Sequence, residues 1–422
     1  MSIEKLIADK ITNSKTQSNA ISKPIVKIGT IGVIIGVSVM ILTLGVVLGF
    51  KKEIINKITD LTSHIIISNI NLNTSNEPEP IVMSQDSLNI LKKYSLIKHL
   101  QPTSIKNAIL KTNSVNEGVV IKGVDAAYDF GLINANMLEG EIPVFSKDSI
   151  SKEVVISASL ASKLQIKLNE KFTVYFIIQR LSYDSSLSAN VLKSEQRTRV
   201  FKVKGIFKNT FAEFDENLIF ADLKQLQKVN YWSQEAVGAY EIKVADYNQL
   251  ESNTETLQEF FGYSYSVANV KQIYANIFVW LDKLDVNGII IIVLMILVAT
   301  INMITALLIL ILERTNMIGM LKSLGMSNAN VRKVFVRVSL NLILKGLIWG
   351  NLIGLTLCYI QKFWKPIKLN SDVYYVDFVA IEINWQLIVL LNIGTFLTCF
   401  FMLLLPTIII SKLTPIKTLK FD

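Results

Sequence analysis

The chain has 422 residues, 51% of them hydrophobic and 18% charged, with a formal net charge of +9. A mean hydropathy of +0.42 is high for a water-soluble protein, yet 43 basic and 34 acidic residues are too many for a chain that lives wholly in lipid. The balance excludes a disordered chain and a collagen, and two cysteines cannot build a disulfide framework.

Residues 1–23 open the chain on the polar side. Ile3, Leu6, Ile7 and Ile11 share one helical face, with Glu4, Lys5, Asp9 and Lys10 away from it. That is the pattern of a short amphipathic helix lying on a membrane, followed by a polar linker. Pro24 suits the first turn of the next helix. From Ile28 to Phe50 there is no charge over 23 residues. A bilayer core about 30 Å thick is crossed by roughly 20 helical residues, so 24–50 is predicted to span. It starts late and ends at Phe50-Lys51-Lys52, which is no signal-peptidase site, so the span is expected to be retained.

Residues 51–285 are predicted to form a water-exposed region. Strand-like runs rich in β-branched and aromatic residues are 64–72, 104–111, 118–124, 153–157, 172–178, 199–207, 217–220 and 239–244. Helix-like runs are 84–94, 158–165, 223–229 and 247–261. The stretch 179–198, with its many serines, reads as a protruding hairpin or loop, either a solvated connection or a docking arm. Ile273, Ile277, Phe278, Leu281 and Leu284 recur at helical spacing, so a helix is expected to run unbroken from Lys271 into the second span, 286–312.

Residues 313–330 form a short loop in which Met317, Leu321 and Leu324 lie at i, i+4 and i+7, with Ile318 and Met320 beside them. Gly325 suits a helix stop and Ser327 a cap on the following helix. The loop thus reads as a short helix across the membrane face, either a simple anchor or a helix that enters a partner's groove. The third span, 331–361, contains the run Val338 to Gln361, interrupted only by Lys345, whose depth suits snorkelling towards the headgroups. A short loop, 362–382, the fourth span, 383–411, and a tail, 412–422, complete the chain. The fold class predicted is therefore an α-helical membrane protein with four transmembrane helices plus a large α/β (α+β) extracytoplasmic domain.

Lysine and arginine in the short segments set the orientation. Lys5, Lys10, Lys15 and Lys23, then Arg314, Lys322, Arg332, Lys333 and Arg337, then Lys412, Lys417 and Lys420 all fall on one side of a four-span plan. Lys362, Lys365 and Lys368 fall on the other. Both termini are therefore predicted cytoplasmic and 51–285 outside. The basic excess serves this bias and calls for no nucleic acid.

The motifs of chemistry do not occur. There is no nucleotide-binding P-loop, no zincin His pair and no nucleophile elbow. His64 and His99 have no ligand company, so no metal is expected, and Cys358 and Cys399 read as small packing residues within spans. The glycines say more. Gly32 and Gly36, and then Gly346, Gly350 and Gly354, stand four apart, the spacing that lets helix backbones approach in lipid, within this chain or against a partner.

The stretch LERTNMIGMLKSLGMSNANVRKVF resembles the coupling segment of four-span permeases of the MacB/FtsX/LolC-LolE superfamily. GTIGVIIGVSVMILTLGVVLGFKKEI, VVIKGVD, VVISASLASKLQIKLNEKFTVYF, FKVKGIF and the tail KLTPIKTLKFD resemble its lipoprotein-releasing branch. The resemblance covers nearly the whole chain. It implies a permease subunit, itself no enzyme, of an ATP-driven ABC transporter in the bacterial inner membrane. That transporter extracts acylated lipoproteins from the outer leaflet and passes them to a periplasmic carrier. The alternative within the superfamily is a MacB-like or FtsX-like mechanotransmitter. The partners implied are a cytoplasmic ATPase dimer holding the ATP and Mg, a second permease, identical or related, the lipoprotein and the carrier. No cofactor is implied for this chain. The ATPase is expected to grip Glu313, Arg314, Met317, Ile318, Leu321, Leu324 and Gly325. The acyl path is expected at Met40, Leu44, Val47 and Phe50, between the first and second spans. Carrier docking is expected on the 179–198 loop through Arg180, Leu181, Tyr183 and Leu187.

Overall fold

The computed structural model describes residues 22–70, 77–112, 115–146, 148–184, 189–208, 217–374 and 376–407. The expected amphipathic helix at 3–11 and the tail lie outside the described residues. Two compact units emerge. Among the described residues, a helical unit comprises 22–52, Trp280–Lys368 and 378–407, and a sheet unit comprises Glu53–Val279 with Leu369–Asp377.

The helical unit is built on α1 (Ser22–Thr62), whose last turns belong to the sheet unit. Among the described residues, four helices are long and apolar enough to cross a membrane. The sequences of the first two are rich in Ile and Val, which disfavour helix in water. In lipid the backbone must satisfy every N–H and C=O internally, and that requirement overrides the propensity. The unit's core gathers Val33, Val37, Met40 and Ile41 with Ala299, Met303 and Leu307. Phe335, Val338, Leu342, Cys399 and Leu403 complete it.

The sheet unit carries a ten-stranded mixed sheet. Its strands are β1 (Ile65–Ser68), β2 (Ile97–Lys111), β3 (Asn116–Val124), β4 (Met137–Gly140), β5 (Glu153–Ser157), β6 (Lys171–Asp184), β7 (Ala189–Phe207), β8 (Leu218–Asp222), β9 (Ala239–Val244) and β10 (Ser266–Asn269). They run in the order β10-β1-β9-β2-β3-β8-β5-β7-β4, with β6 pairing β2 and β7. Only β3 with β8 and β5 with β7 are parallel. Helices α2 (Gln85–Lys93), α3 (Ala158–Leu164), α4 (Leu223–Asn230) and α5 (Leu250–Phe261) connect the strands. Ser84, Ser157 and Asp222 cap the first three of these by accepting a backbone N–H in the first turn. Leu160, Leu164, Leu226 and Val229 from α3 and α4 pack on Ile121, Val154, Phe176 and Phe201 of the sheet.

All eight expected strands are present, and β5 and β9 have the expected bounds. The sequence reading missed β4 and β10, four residues each, too short to show alternation. It also began β2 at 104, seven residues after the strand starts at Ile97. Pro102 pairs only with Tyr240 of β9, before β3 joins at Thr103, so its missing N–H costs no second ladder bond.

Among the described residues of the sheet unit, one ion pair has both side chains buried. Lys122 Nζ lies 2.7 Å from Glu241 Oε1, both side chains almost fully enclosed. Lys122 also donates to the Leu61 carbonyl at 2.8 Å, in the last turn of α1, where a cation suits the helix dipole. Glu241 accepts from Gln101 at 3.0 Å and Thr103 at 3.2 Å. These bonds satisfy the groups that burial would otherwise penalise.

The expected unbroken helix from Lys271 is corrected. A four-residue helix, Val270–Ile273, is closed off at Tyr274, and only then does α6 (Ala275–Glu313) begin. Asn269 and Gln272 form a capping box that starts this short helix, and Tyr274, at φ −108° and ψ 40°, leaves the helical conformation and breaks it from α6.

Candidate functional site

Two places carry the residues that the sequence singled out for function within the helical unit: the loop after α6, and the seam between α1 and α6.

The loop is a helix, α7 (Thr315–Ser323). It begins within two residues of the end of α6, and the Thr315 hydroxyl donates to the Leu312 carbonyl there. It ends at Gly325, whose φ of +92° is the left-handed conformation glycine adopts without strain. Ser327 then accepts from Asn330 N–H at 3.3 Å and starts α8 (Asn328–Trp364). The helix has an inner and an outer face. Ile318 is fully buried in the four-helix core, and Met317 and Met326 pack against that core. Leu324 is 84% exposed, Met320 56% and Leu312 62%. Glu313 and Gly325 are exposed, while Arg314 and Leu321 are half-buried. Burial pushes the Lys322 ammonium below its usual range.

Ile318 was expected to meet a partner. Its full burial makes it an anchor for α7 rather than a contact. Met320, absent from the expected set, takes its place on the outer face. The signal that could have found it is the helical period itself, since Met320 and Leu324 lie at i and i+4.

The seam is an antiparallel contact with one register along its length. At its α7-proximal half it is welded by small residues. An added Cβ on Gly29 would lie 2.5 Å from Ala306 Cβ, on Gly32 2.7 Å from Asn302 Nδ2, and on Gly36 3.4 Å from Ala299 Cβ. At the other half Val47 lies over Gly288, Phe50 meets Trp280 edge-to-face at 5.9 Å, and Lys51 bonds Asp282 at 3.0 Å and Asp285 at 2.6 Å. Leu44 is half-buried, as are Val47 and Phe50. Met40, expected on the acyl path, is instead wholly enclosed in the core.

The other glycines belong to the contact of α1 with α8. A Cβ on Gly346 would lie 2.5 Å from Val33, on Gly350 2.7 Å from Val37, and on Gly354 3.1 Å from Ser38 Cα. Ser38 Oγ donates to the Gly350 carbonyl at 3.0 Å across this contact. The choice the sequence left open, packing within the chain or against a partner, falls to packing within the chain. Lys345 is exposed on the surface of α8. Asn351 and Asn392 exchange side-chain hydrogen bonds at 2.6 and 2.9 Å, tying α8 to α9 (Trp385–Thr407). A paired amide in a span is inexpensive where a lone one is not.

In the sheet unit, β6 and β7 pair residue for residue from Lys171↔Lys202 to Asp184↔Ala189. β2 joins β6 only through Thr173–Tyr175, so beyond that the pair continues as a two-stranded ribbon. Arg180, Leu181 and Tyr183 stand on the β6 arm, opposite Lys193, Leu192 and Asn190. Leu187 lies outside the described residues.

Four apolar spans, a helix laid across one end of them and a large mixed-sheet domain inserted after the first span define a membrane permease subunit. Residues 29–260 match the model of the MacB-like periplasmic core domain, and residues 289–415 that of the FtsX-like permease C-terminal domain. The chain belongs to this MacB-like and FtsX-like permease family, as an inner-membrane protein with a periplasmic α/β domain. It is 23% identical to the lipoprotein-releasing system transmembrane protein LolE of Haemophilus influenzae, over 96% of both chains. It is also 23% identical to LolC of Buchnera aphidicola, over 92% of this chain and 90% of that one. LolC of Neisseria meningitidis is 23% identical over 93% and 92%. The crystal structure of the periplasmic region of MacB from Actinobacillus actinomycetemcomitans aligns with 50% of this chain and 91% of its own, at 18% identity and a TM-score of 0.33.

Proposed function

We propose that this chain is the permease subunit of an ATP-driven transporter that extracts acylated lipoproteins from the outer leaflet of the inner membrane. It then hands them to a periplasmic carrier for outer-membrane sorting. The observation that carries this reading is similarity to LolC and LolE subunits over more than nine-tenths of the chain. The outer face of α7 is where a cytoplasmic ATPase dimer, holding ATP and Mg, docks. The α1–α6 seam, through Leu44, Val47 and Phe50, is where acyl chains enter beside a second permease subunit. The β6–β7 ribbon, projecting from the sheet, offers the carrier its arm. Hydrolysis belongs to the ATPase, and both termini face the cytoplasm.

Depleting the protein and fractionating the envelope tests this. Outer-membrane lipoproteins are expected to accumulate in the inner membrane, and their normal departure would overturn the reading. The match of 29–260 to a MacB-like core favours a second reading, mechanotransmission without a substrate between the spans. A photocrosslinker at Leu44 or Val47 that captures lipoprotein supports release, and one that captures only lipid supports the second.

A further inference from the structure

The two halves of the α1–α6 seam are held by different physics. In the half that contains Gly29, Gly32 and Gly36, the backbones approach so closely that methyl groups would collide with Ala306 and Asn302. Contacts of that kind are lost steeply with separation and resist opening. In the half that leads to Lys51 the small-residue approach is looser: an added Cβ on Gly288 would lie 3.2 Å from Val47 Cγ2, against 2.5 and 2.7 Å at Gly29 and Gly32. Its contacts are made by side chains that can part: Val47 over Gly288, Phe50 on Trp280, and Lys51 with Asp282 and Asp285. Asp282 keeps 72% of its side chain exposed and Asp285 40%. Each carboxylate therefore exchanges its ammonium partner for water at small cost. Lys52 is held separately, by Glu382 at 2.7 Å, so Lys51 is committed to the seam alone.

We propose that Lys51, Asp282 and Asp285 form a latch that keeps the periplasmic end of the α1–α6 seam shut, with the glycine weld as its pivot, and that the latch opens to admit an acylated chain. The last clause rests on the reading of the protein as a lipoprotein-releasing permease. The latch itself does not. Once the ion pairs part, the edge-to-face contact of Phe50 with Trp280 is the last barrier. Its rings then become apolar walls at the mouth of the path, which is where an acyl chain needs them.

The seam carries its own reporter. A Cβ on Gly288 would lie 3.8 Å from Val47 Cβ, the separation a disulfide requires. In the full transporter, with Cys358 and Cys399 replaced by alanine, Val47→Cys with Gly288→Cys is expected to form a disulfide that lowers lipoprotein release about tenfold, reversed by reductant, because a closed gate blocks passage. Adding Asp282→Asn and Asp285→Asn is expected to slow disulfide formation several-fold, since the unlatched seam spends less time closed. With Asp282→Asn kept, so that no second carboxylate faces position 51, the swapped pair Lys51→Glu with Asp285→Lys is expected to restore the rate, which separates a lost latch from a damaged fold. An equal rate with and without the carboxylates, or release untouched by the disulfide in a transporter that releases lipoprotein when reduced, would overturn the latch. If the reduced transporter hydrolyses ATP and releases no lipoprotein, the functional reading fails and the rate comparison alone decides the latch.

Discussion

At Gly350, the position where α1 and α8 approach, an added Cβ would stand 2.7 Å from Val37 Cβ and 3.1 Å from the Ile34 carbonyl oxygen. Neither the backbone oxygen nor a β-branched side chain in a helix can swing aside. Gly350→Val is therefore expected to destabilise the helical unit by about 1–3 kcal/mol. Gly394→Ala on α9, where nothing lies within 4 Å, is expected to change stability by less than about 0.5 kcal/mol. Thermal unfolding of the detergent-solubilised protein distinguishes them, and equal effects would mean that the helices do not touch at Gly350. Small residues at intervals of four were thus legible as contacts from the sequence alone. Met40 was not legible. The first span is apolar on every face, and with lipid as solvent apolarity no longer separates inside from outside. Residue size carries that information, and Met40 is neither small nor polar.

The coupling helix shows how an element can be located before its faces are known. Its stop at Gly325 and the cap of the next helix at Ser327 were written in the chain, because glycine and serine act locally. Which side it buries depends on three other helices, and periodicity at nine residues is too short to fix it. The outcome places Ile318 inside and Met320 with Leu324 outside. Met320→Asp with Leu324→Asp is accordingly expected to abolish co-purification of the ATPase while leaving the permease folded, as judged by an unchanged unfolding midpoint. Ile318→Asp puts a carboxylate in the core and is expected to lower that midpoint and the amount of protein together. If the exposed pair left ATPase binding intact, α7 would be an anchor only. The ribbon of β6 and β7 follows the same division. Its strands were recognisable near the sheet, where buried aromatics such as Phe172 and Phe201 alternate with polar residues. Further out no third strand imposes alternation, and the serine-rich sequence reads as loop although the backbone stays paired.

For the whole molecule, the conflict between an apolar mean and a high charge count resolves into two units with different solvents. The helical unit exposes large side chains such as Leu294, Ile348 and Phe401, which only lipid tolerates over such an area. The sheet unit buries an apolar core that includes Ile121, Phe176 and Phe201 and carries ion pairs on its surface, among them Lys163–Glu117 and Lys204–Glu141. By chain order alone, four spans return the 313–330 loop to the side from which the chain first enters the membrane and assign 51–285 and 362–382 to the other. We expect the basic residues of the α7 loop and the start of α8 to hold that first side in the cytoplasm. Lys333 and Arg337 are exposed there, and translocating them against the membrane potential costs about 2 kcal/mol per charge at 100 mV. A fluorescent protein fused after Asp422 is therefore expected to fluoresce. Alkaline phosphatase inserted at Gly262, an exposed turn with φ of +56° and nothing within 4 Å of an added Cβ, is expected to be active, since that enzyme matures only outside the cytoplasm. An inactive insertion there with a dark terminal fusion would invert the molecule. It would also put α7 beyond the reach of any cytoplasmic ATPase, so the same two fusions test the orientation and the premise on which ATP-driven coupling depends.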